Sequence, residues 1–229
     1  MRLHRFYIEQ PLGEEFVVEK SELIHQWTSV FRYTNGSTVV LFSPNTPGID
    51  YEYRITSLTK KAITVTPVAQ STNIIPKRSL TLCLALIKKD AFESVIRQAT
   101  ELGVTRIIPI RAAHSEKKEI NMERLLSIAM EAAEQCGRGN VPVISQKMTF
   151  DAALQETKGS RNIFFSLLGE TSHIPTQNQD TAVWIGPEGG WTQEEEDLAR
   201  HHGCTLKKLT ETVLRADTAA ISGLTSVIL

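Results

Sequence analysis

The chain has 229 residues, 41% of them hydrophobic and 22% charged, enough for one large domain or two small ones around a sizeable core. A net charge of −1 excludes a bulk polyanion binder, and no run of about 18 apolar residues is present to span a membrane. Cys83, Cys136 and Cys204 stand far apart with no CxxC pair, so they read as reduced thiols of a cytoplasmic protein, with no disulfide framework and no metal site. The first seven residues, Met1 to Tyr7, lack the apolar stretch of a signal peptide. Charge is uneven along the chain. Residues 77–140 hold 11 Lys/Arg against 8 Asp/Glu, and residues 186–229 hold 4 against 7. Binding to RNA would therefore need a local basic patch.

The first 72 residues read as short strands. Leu3 to Ile8, Thr38 to Phe42, Tyr51 to Leu58 and Ala62 to Val68 are rich in β-branched and aromatic residues. Asn35-Gly36, Ser43-Pro44-Asn45 and Thr59-Lys60-Lys61 separate them as turns do. Leu23, Ile24, Trp27, Val30 and Phe31 have helical spacing, which predicts one helix over residues 21–31. Closely spaced short strands indicate a small barrel-like β domain. Polar residues around 71–79 form a linker, and a second domain is expected over 73–229.

There the strands alternate with longer helices. Leu80 to Ile87 is almost continuously apolar, as in a strand covered on both faces. Asp90 and Glu93 are spaced as a capping pair, and Gly103 ends the predicted helix. Val104 to Ile110 reads as a strand. Asn121 caps a helix with Leu125, Ile128, Ala129, Ala132 and Cys136 inward. Val141 to Ile144, Ile163 to Leu168 and Ala182 to Ile185 supply further strands. Thr192 and Glu195 form another capping pair, and Gly203 closes that helix. A strand near Leu206 to Leu209 and a helix from about Asp217 to Val227, for which Asp217 also fits as a plain N-cap, complete the order. The alternation predicts a mainly parallel sheet with helices on both faces.

The most informative stretch is Gly186-Pro187-Glu188-Gly189-Gly190, which joins an apolar strand to the helix opening at Thr192. Loops at the carboxyl ends of strands in α/β sheets are where ligands bind, although the run also fits an ordinary tight connection. No GxSxG, Walker loop or GxGxxG is present, and the adjacent His201 and His202 would point about 100° apart on a helix, unsuited to sharing a metal. Three further clusters stand out: Glu101 in the last turn of its helix, Glu131 to Arg138, and Arg215 with Asp217 and Thr218. Each also fits a plain helix terminus.

Taken in order, RQATELGV at 97–104, EAAEQCGR at 131–138, WIGPEGGWTQEE at 184–195 and LTETVLRADTAA at 209–220 resemble the RsmE-type 16S ribosomal RNA uridine methyltransferases of the SPOUT, or α/β-knot, class. His4 to Tyr7, His25, Val30 to Arg32 and Gly36 extend the resemblance to the amino terminus. Thr210, Ala216 and Asp217 depart from the family's usual Gly, Thr and Glu, and Arg111 to Ser115 departs from its Arg-Ser. The resemblance implies a trefoil-knotted α/β domain behind a PUA-like RNA-binding barrel. It implies S-adenosyl-L-methionine as cofactor, held by Leu167, Leu168, Gly169, Ile185, Gly186, Glu188, Gly189, Gly190, Leu209 and Leu214. The reaction would be methylation of N3 of a uridine in small-subunit ribosomal RNA, with the assembled subunit as substrate. Arg215 and Arg138 would be stabilising cations, Asp217 the candidate base, and Arg5 and Arg32 phosphate contacts. A homodimer through the knotted domain and no metal are implied as well. A β-branched residue at Gly186 or Gly189 is expected to block adenine or strain the turn. The departures leave a second reading, a non-catalytic RNA-binding or ribosome-assembly protein on the same scaffold. An ordinary Rossmann enzyme is disfavoured, because Ile87 to Asp90 contains no glycine.

Overall fold

The computed structural model describes residues 4–116, 119–171, 173–175 and 178–229. These form two compact units, one of residues up to Ile75 together with Ala133–Asn140, the other of Pro76–Ala132 and Val141–Leu229.

The first unit is built on β1 (Arg5–Tyr7), β2 (Phe16–Val18), β3 (Thr38–Phe42), β4 (Ile49–Leu58) and β5 (Ile63–Thr72), in the order β1-β3-β4-β5-β2. β1 runs parallel to β3 and the remaining pairs are antiparallel. Among the described residues the two end strands do not pair, so the barrel-like domain expected from the sequence is a curled half-barrel. β2 escaped the sequence reading because three residues are too few to display alternation. The helix expected over 21–31 divides into α1 (Ser21–His25) and a π-helical turn, Gln26–Val30. The wider turn leaves Trp27 fully buried beside Phe6, Val39, Leu41, Tyr53, Ile55 and Val65. Ala133–Asn140 is stitched into this unit by backbone bonds from Gly48 N–H to Gly139 O (3.1 Å) and from Gly139 N–H to Ile74 O (2.9 Å).

The second unit has a seven-stranded parallel sheet. Its strands are β6 (Leu80–Ala85), β7 (Arg106–Arg111), β8 (Val143–Ile144), β9 (Met148–Thr149), β10 (Arg161–Glu170), β11 (Thr181–Ile185) and β12 (Thr205–Lys207). The order is β12-β10-β11-β6-β7-β8, with β9 also on β7. Every residue of β6 and β11 is buried, as parallel strands covered by helices require. Alternation splits their side chains between two cores. Leu80, Leu82 and Leu84 pack with Val95 and Ile96 of α2 (Lys89–Glu101), Ile128 of α3 (Met122–Cys136) and Leu224 of α6 (Ala216–Ile228). Cys83 and Trp184 pack on the other face with Phe150 and Ala153 of α4 (Phe150–Glu156) and Ala199 of α5 (Gln193–His201). α4, capped by Thr149, was missed in the sequence, being only seven residues long.

Three helix expectations need correction. Lys88, not Asp90, is the N-cap of α2, so Asp90 sits in its first turn, where its negative charge complements the positive end of the helix dipole. Arg215, not Asp217, precedes α6 as its N-cap. Cys136 is exposed, because the stripe that buries Ile128, Ala129 and Ala132 has rotated away by the last turn of α3. Gly103 does close α2, at φ 87°. No helix among the described residues is long and apolar enough to cross a membrane.

Candidate functional site

A cavity of about 500 Å³ lies at the carboxyl ends of β10, β11 and β12, within the second unit. Three loops and the starts of α5 and α6 wall it.

The first loop arises inside β10. Its pairing with β12 slips so that both Phe165 and Glu170 face Lys207, and residues 166–169 loop out. Leu167 and Leu168 are thereby exposed and line the cavity. Gly169 is not a wall residue. A Cβ there would lie 2.4 Å from the carbonyl carbon of Lys207, so this glycine lets β10 resume its pairing. The Ser166 hydroxyl accepts the Leu168 N–H at 3.0 Å and donates to a carboxylate oxygen, Oε1 of Glu196.

The second loop, Gly186 to Trp191, turns on a Gly190 N–H bond to Pro187 O (2.9 Å), with Gly190 at φ 73°, a region that favours glycine. The indole N–H of Trp191 reaches back to Phe165 O at 3.0 Å. A Cβ on Gly186 would stand 2.9 Å from that indole, and one on Gly189 would stand 2.9 Å from Cβ of His114. Protein neighbours alone thus leave no room for a Cβ at these two glycines. His114 Nδ1 lies 3.1 Å from Gly190 O. Glu188 faces the cavity, and its Oε1 accepts a long 3.4 Å bond from Lys88 N–H at the start of α2. The capping box of Thr192 and Glu195 is present, and the second oxygen of Glu195 takes the Ala113 N–H at 2.8 Å. One buried carboxylate therefore fixes the helix start and joins it to the loop after β7.

The third loop runs from Lys208 to Leu214. Lys208 pairs with Glu211 at 2.5 Å, which holds the Glu211 carboxyl below its ordinary value. Leu209 and Leu214 line the cavity, as do Ala216 and Ala219 of α6.

Of the ten residues expected to hold a cofactor, nine surround this cavity: Leu167, Leu168, Ile185, Gly186, Glu188, Gly189, Gly190, Leu209 and Leu214; Gly169 is the exception. Arg215 and Asp217 follow the wall residue Leu214 without lining the cavity themselves. The Arg215 side chain is 81% exposed and stands 3.4 Å from Asp217, whose other oxygen accepts the Thr218 N–H. Arg138 belongs to the first unit. It is buried, its guanidinium donates to Asn140 Oδ1, and burial pulls its pKa below the ordinary value. Arg5 cannot serve as the phosphate contact assigned to it. Its side chain is 7% exposed, pairs with both oxygens of Asp50 and donates to the carbonyls of Ala133 and Arg138. Arg32 is exposed, at φ 54°. The sequence reading missed Trp191, His114 and Glu196 as site residues. Trp191 lay in view within the glycine run, whereas Glu196 is hidden in an acidic stretch, Glu194 to Asp197, that reads as a solvated helix face.

Residues 75–228 match the model of the RNA methyltransferase domain family. Over 99% of its length the chain is 31% identical to the ribosomal RNA small subunit methyltransferase E of Rickettsia conorii, covering 96% of that protein. It is 28% identical to the Bacillus subtilis protein of the same name, covering 90% of this chain and 87% of the relative. Among solved structures, a putative methyltransferase from Legionella pneumophila with the cofactor SAM bound superposes with a TM-score of 0.90 at 28% identity, over 99% of this chain and 97% of the other. The methyltransferase E of Neisseria gonorrhoeae, bound to S-adenosyl methionine, gives 0.82 at 25%, over 98% and 96%. With its α/β architecture, its parallel sheet and these matches, the chain belongs to the RNA methyltransferase family, in the group of the ribosomal RNA small subunit methyltransferases E.

Proposed function

We propose that this protein methylates N3 of one uridine in small-subunit ribosomal RNA with S-adenosyl-L-methionine. The carrying observation is the cavity formed by three loops, one within β10 and one after each of β11 and β12, in a chain whose structural relatives hold that cofactor. The cavity fits the group. Its volume of about 500 Å³ lies in the range of small-molecule sites, and Leu167, Leu168, Ile185, Leu209 and Leu214 offer apolar walls for a heterocycle. A buried oxygen, Oε2 of Glu196, is left without a hydrogen-bond partner.

When bound, S-adenosylmethionine supplies an electrophilic methyl on a sulfonium. The chain supplies alignment. Loops fixed by the Trp191 indole, the Ser166 hydroxyl and the Glu195 carboxylate cannot drift, and fixed geometry is worth several kcal/mol in an in-line displacement. The N3 proton of uracil must leave, and negative charge develops on the base. Arg215, exposed beside the cavity wall, is the cation that stabilises it, and Asp217 Oδ2 is the candidate acceptor of the proton. The target uridine has to be unstacked to present N3, and Arg32 is the remaining proposed phosphate contact. The working form is a cytoplasmic homodimer acting on the assembled subunit.

Calorimetry with S-adenosylmethionine tests the binding step, and no heat at millimolar ligand would overturn it. Methyl transfer to unmodified small-subunit RNA, naked and assembled, followed by mapping of the product, tests the reaction. Cofactor binding without methyl incorporation into either substrate would favour the non-catalytic alternative.

A further inference from the structure

Glu196 is a charged residue buried in the cavity wall. It lies on α5, 5% exposed, at the edge of the cavity. Its Oε1 takes the Ser166 hydroxyl, whose own lone pair is held by Leu168 N–H, so the donor is locked in place. Its Oε2 is shut off from solvent and has no hydrogen-bond partner, and among the described residues no cation pairs with Glu196. Burying a carboxylate in that state is costly unless something positive comes near it. The start of α5 supplies only the partial charge of a helix terminus. The other charged wall residues do not balance it. Lys208 is already paired with Glu211, and Glu188 adds a second negative charge. The walls therefore carry an excess of negative charge next to apolar surface, where Coulomb interactions are poorly screened.

We infer that Glu196 makes the cavity select for a positively charged ligand, so that the sulfonium cofactor is held more tightly than the neutral thioether remaining after transfer. This rests on the methyltransferase reading. The effect acts through space and needs no contact with Oε2, which matters because that oxygen is closed to solvent. Its consequence is regulatory: product leaves readily and inhibits little, because the charge that retained the cofactor no longer finds a counter-charge.

The test is titration calorimetry at pH 8 on wild type, Glu196→Gln and Ser166→Ala. The ligands are S-adenosylmethionine, S-adenosylhomocysteine and sinefungin, which carries a protonated amine in place of the sulfonium. Wild type should bind both cationic ligands more tightly than S-adenosylhomocysteine. Glu196→Gln, nearly isosteric, should weaken the two cationic ligands about tenfold and S-adenosylhomocysteine less than about threefold, as expected for loss of one poorly screened charge. Ser166→Ala keeps the charge and should keep the preference. Equal losses for all three ligands, or no loss, would overturn the inference. So would wild type binding S-adenosylhomocysteine as tightly as S-adenosylmethionine, a comparison that holds even if the Gln variant fails to fold. No binding of any ligand to wild type would instead overturn the methyltransferase reading and this inference with it.

Discussion

Gly186 and Trp191 form a single packing unit. The indole lies where a Cβ on residue 186 would stand, 2.9 Å away, and its ring is held by Phe164 at 4.6 Å and Phe150 at 5.4 Å between centroids. Gly186→Ala must push the indole off Phe165 O, so we expect a loss of about 1–3 kcal/mol in urea denaturation, with weaker cofactor binding. An unchanged midpoint would show that the indole has room to yield. The glycine run was legible as a shaped loop, but not the partner that shapes it, because a sequence does not say which ring a glycine faces. The cysteines behave differently from one another. Burial pushes the Cys83 thiol well up and Cys204 up to about 12, while Cys136 is exposed. A thiol reagent should therefore label one cysteine per folded chain near neutral pH and three after denaturation. A pKa raised by folding means that the unfolded chain gives up its proton first. The contribution of Cys204 is then fully present below its ordinary value of 9.0 and is lost as the pH rises toward about 12. Melting temperature should fall over that window, and less steeply in Cys204→Ala.

At the scale of elements, the start of α5 carries most of the site's order. The pattern Thr192-x-x-Glu195 was readable as a capping box from spacing alone, since the reciprocal bonds are local. The bond from Ala113 N–H to the same glutamate was not, because it crosses 82 positions of sequence. The two substitutions should therefore differ. Thr192→Ala loses a cap worth about 1 kcal/mol. Glu195→Ala loses two bonds to a buried charge, about 2–3 kcal/mol, and frees the loop after β7. Equal shifts in the urea midpoint would mean that the Ala113 bond contributes nothing. The slip within β10 was equally invisible. Ile163 to Leu168 has the residues of a strand and gives no sign that pairing pauses after Phe165.

At the scale of the whole molecule, catalysis and assembly are the quantities to measure. Arg215→Ala should lower methyl transfer about 100-fold, the usual loss for one stabiliser of developing charge, and leave cofactor affinity within about twofold. A parallel loss of cofactor binding would make Arg215 part of the cofactor site instead. Light scattering should give twice the chain mass, and a monomer that still transfers methyl groups would refute the dimer as the working form. The sequence by itself determined the alternation of strands and helices, several of the caps, the glycine turns and, through ordered clusters of residues, the family. These signals are local, or are carried by residue identity alone. Only the tertiary structure decided that Arg5 is held by Asp50 instead of meeting phosphate, that Ala133–Asn140 belongs with the first unit, that Trp191 fills the space beside Gly186, and that Glu196 stands buried in a wall while Glu194 and Asp197 are exposed. The physical reason is that parallel crossovers and two-sided burial join residues tens of positions apart, and helical or strand periodicity records that a residue has a face without recording what that face meets.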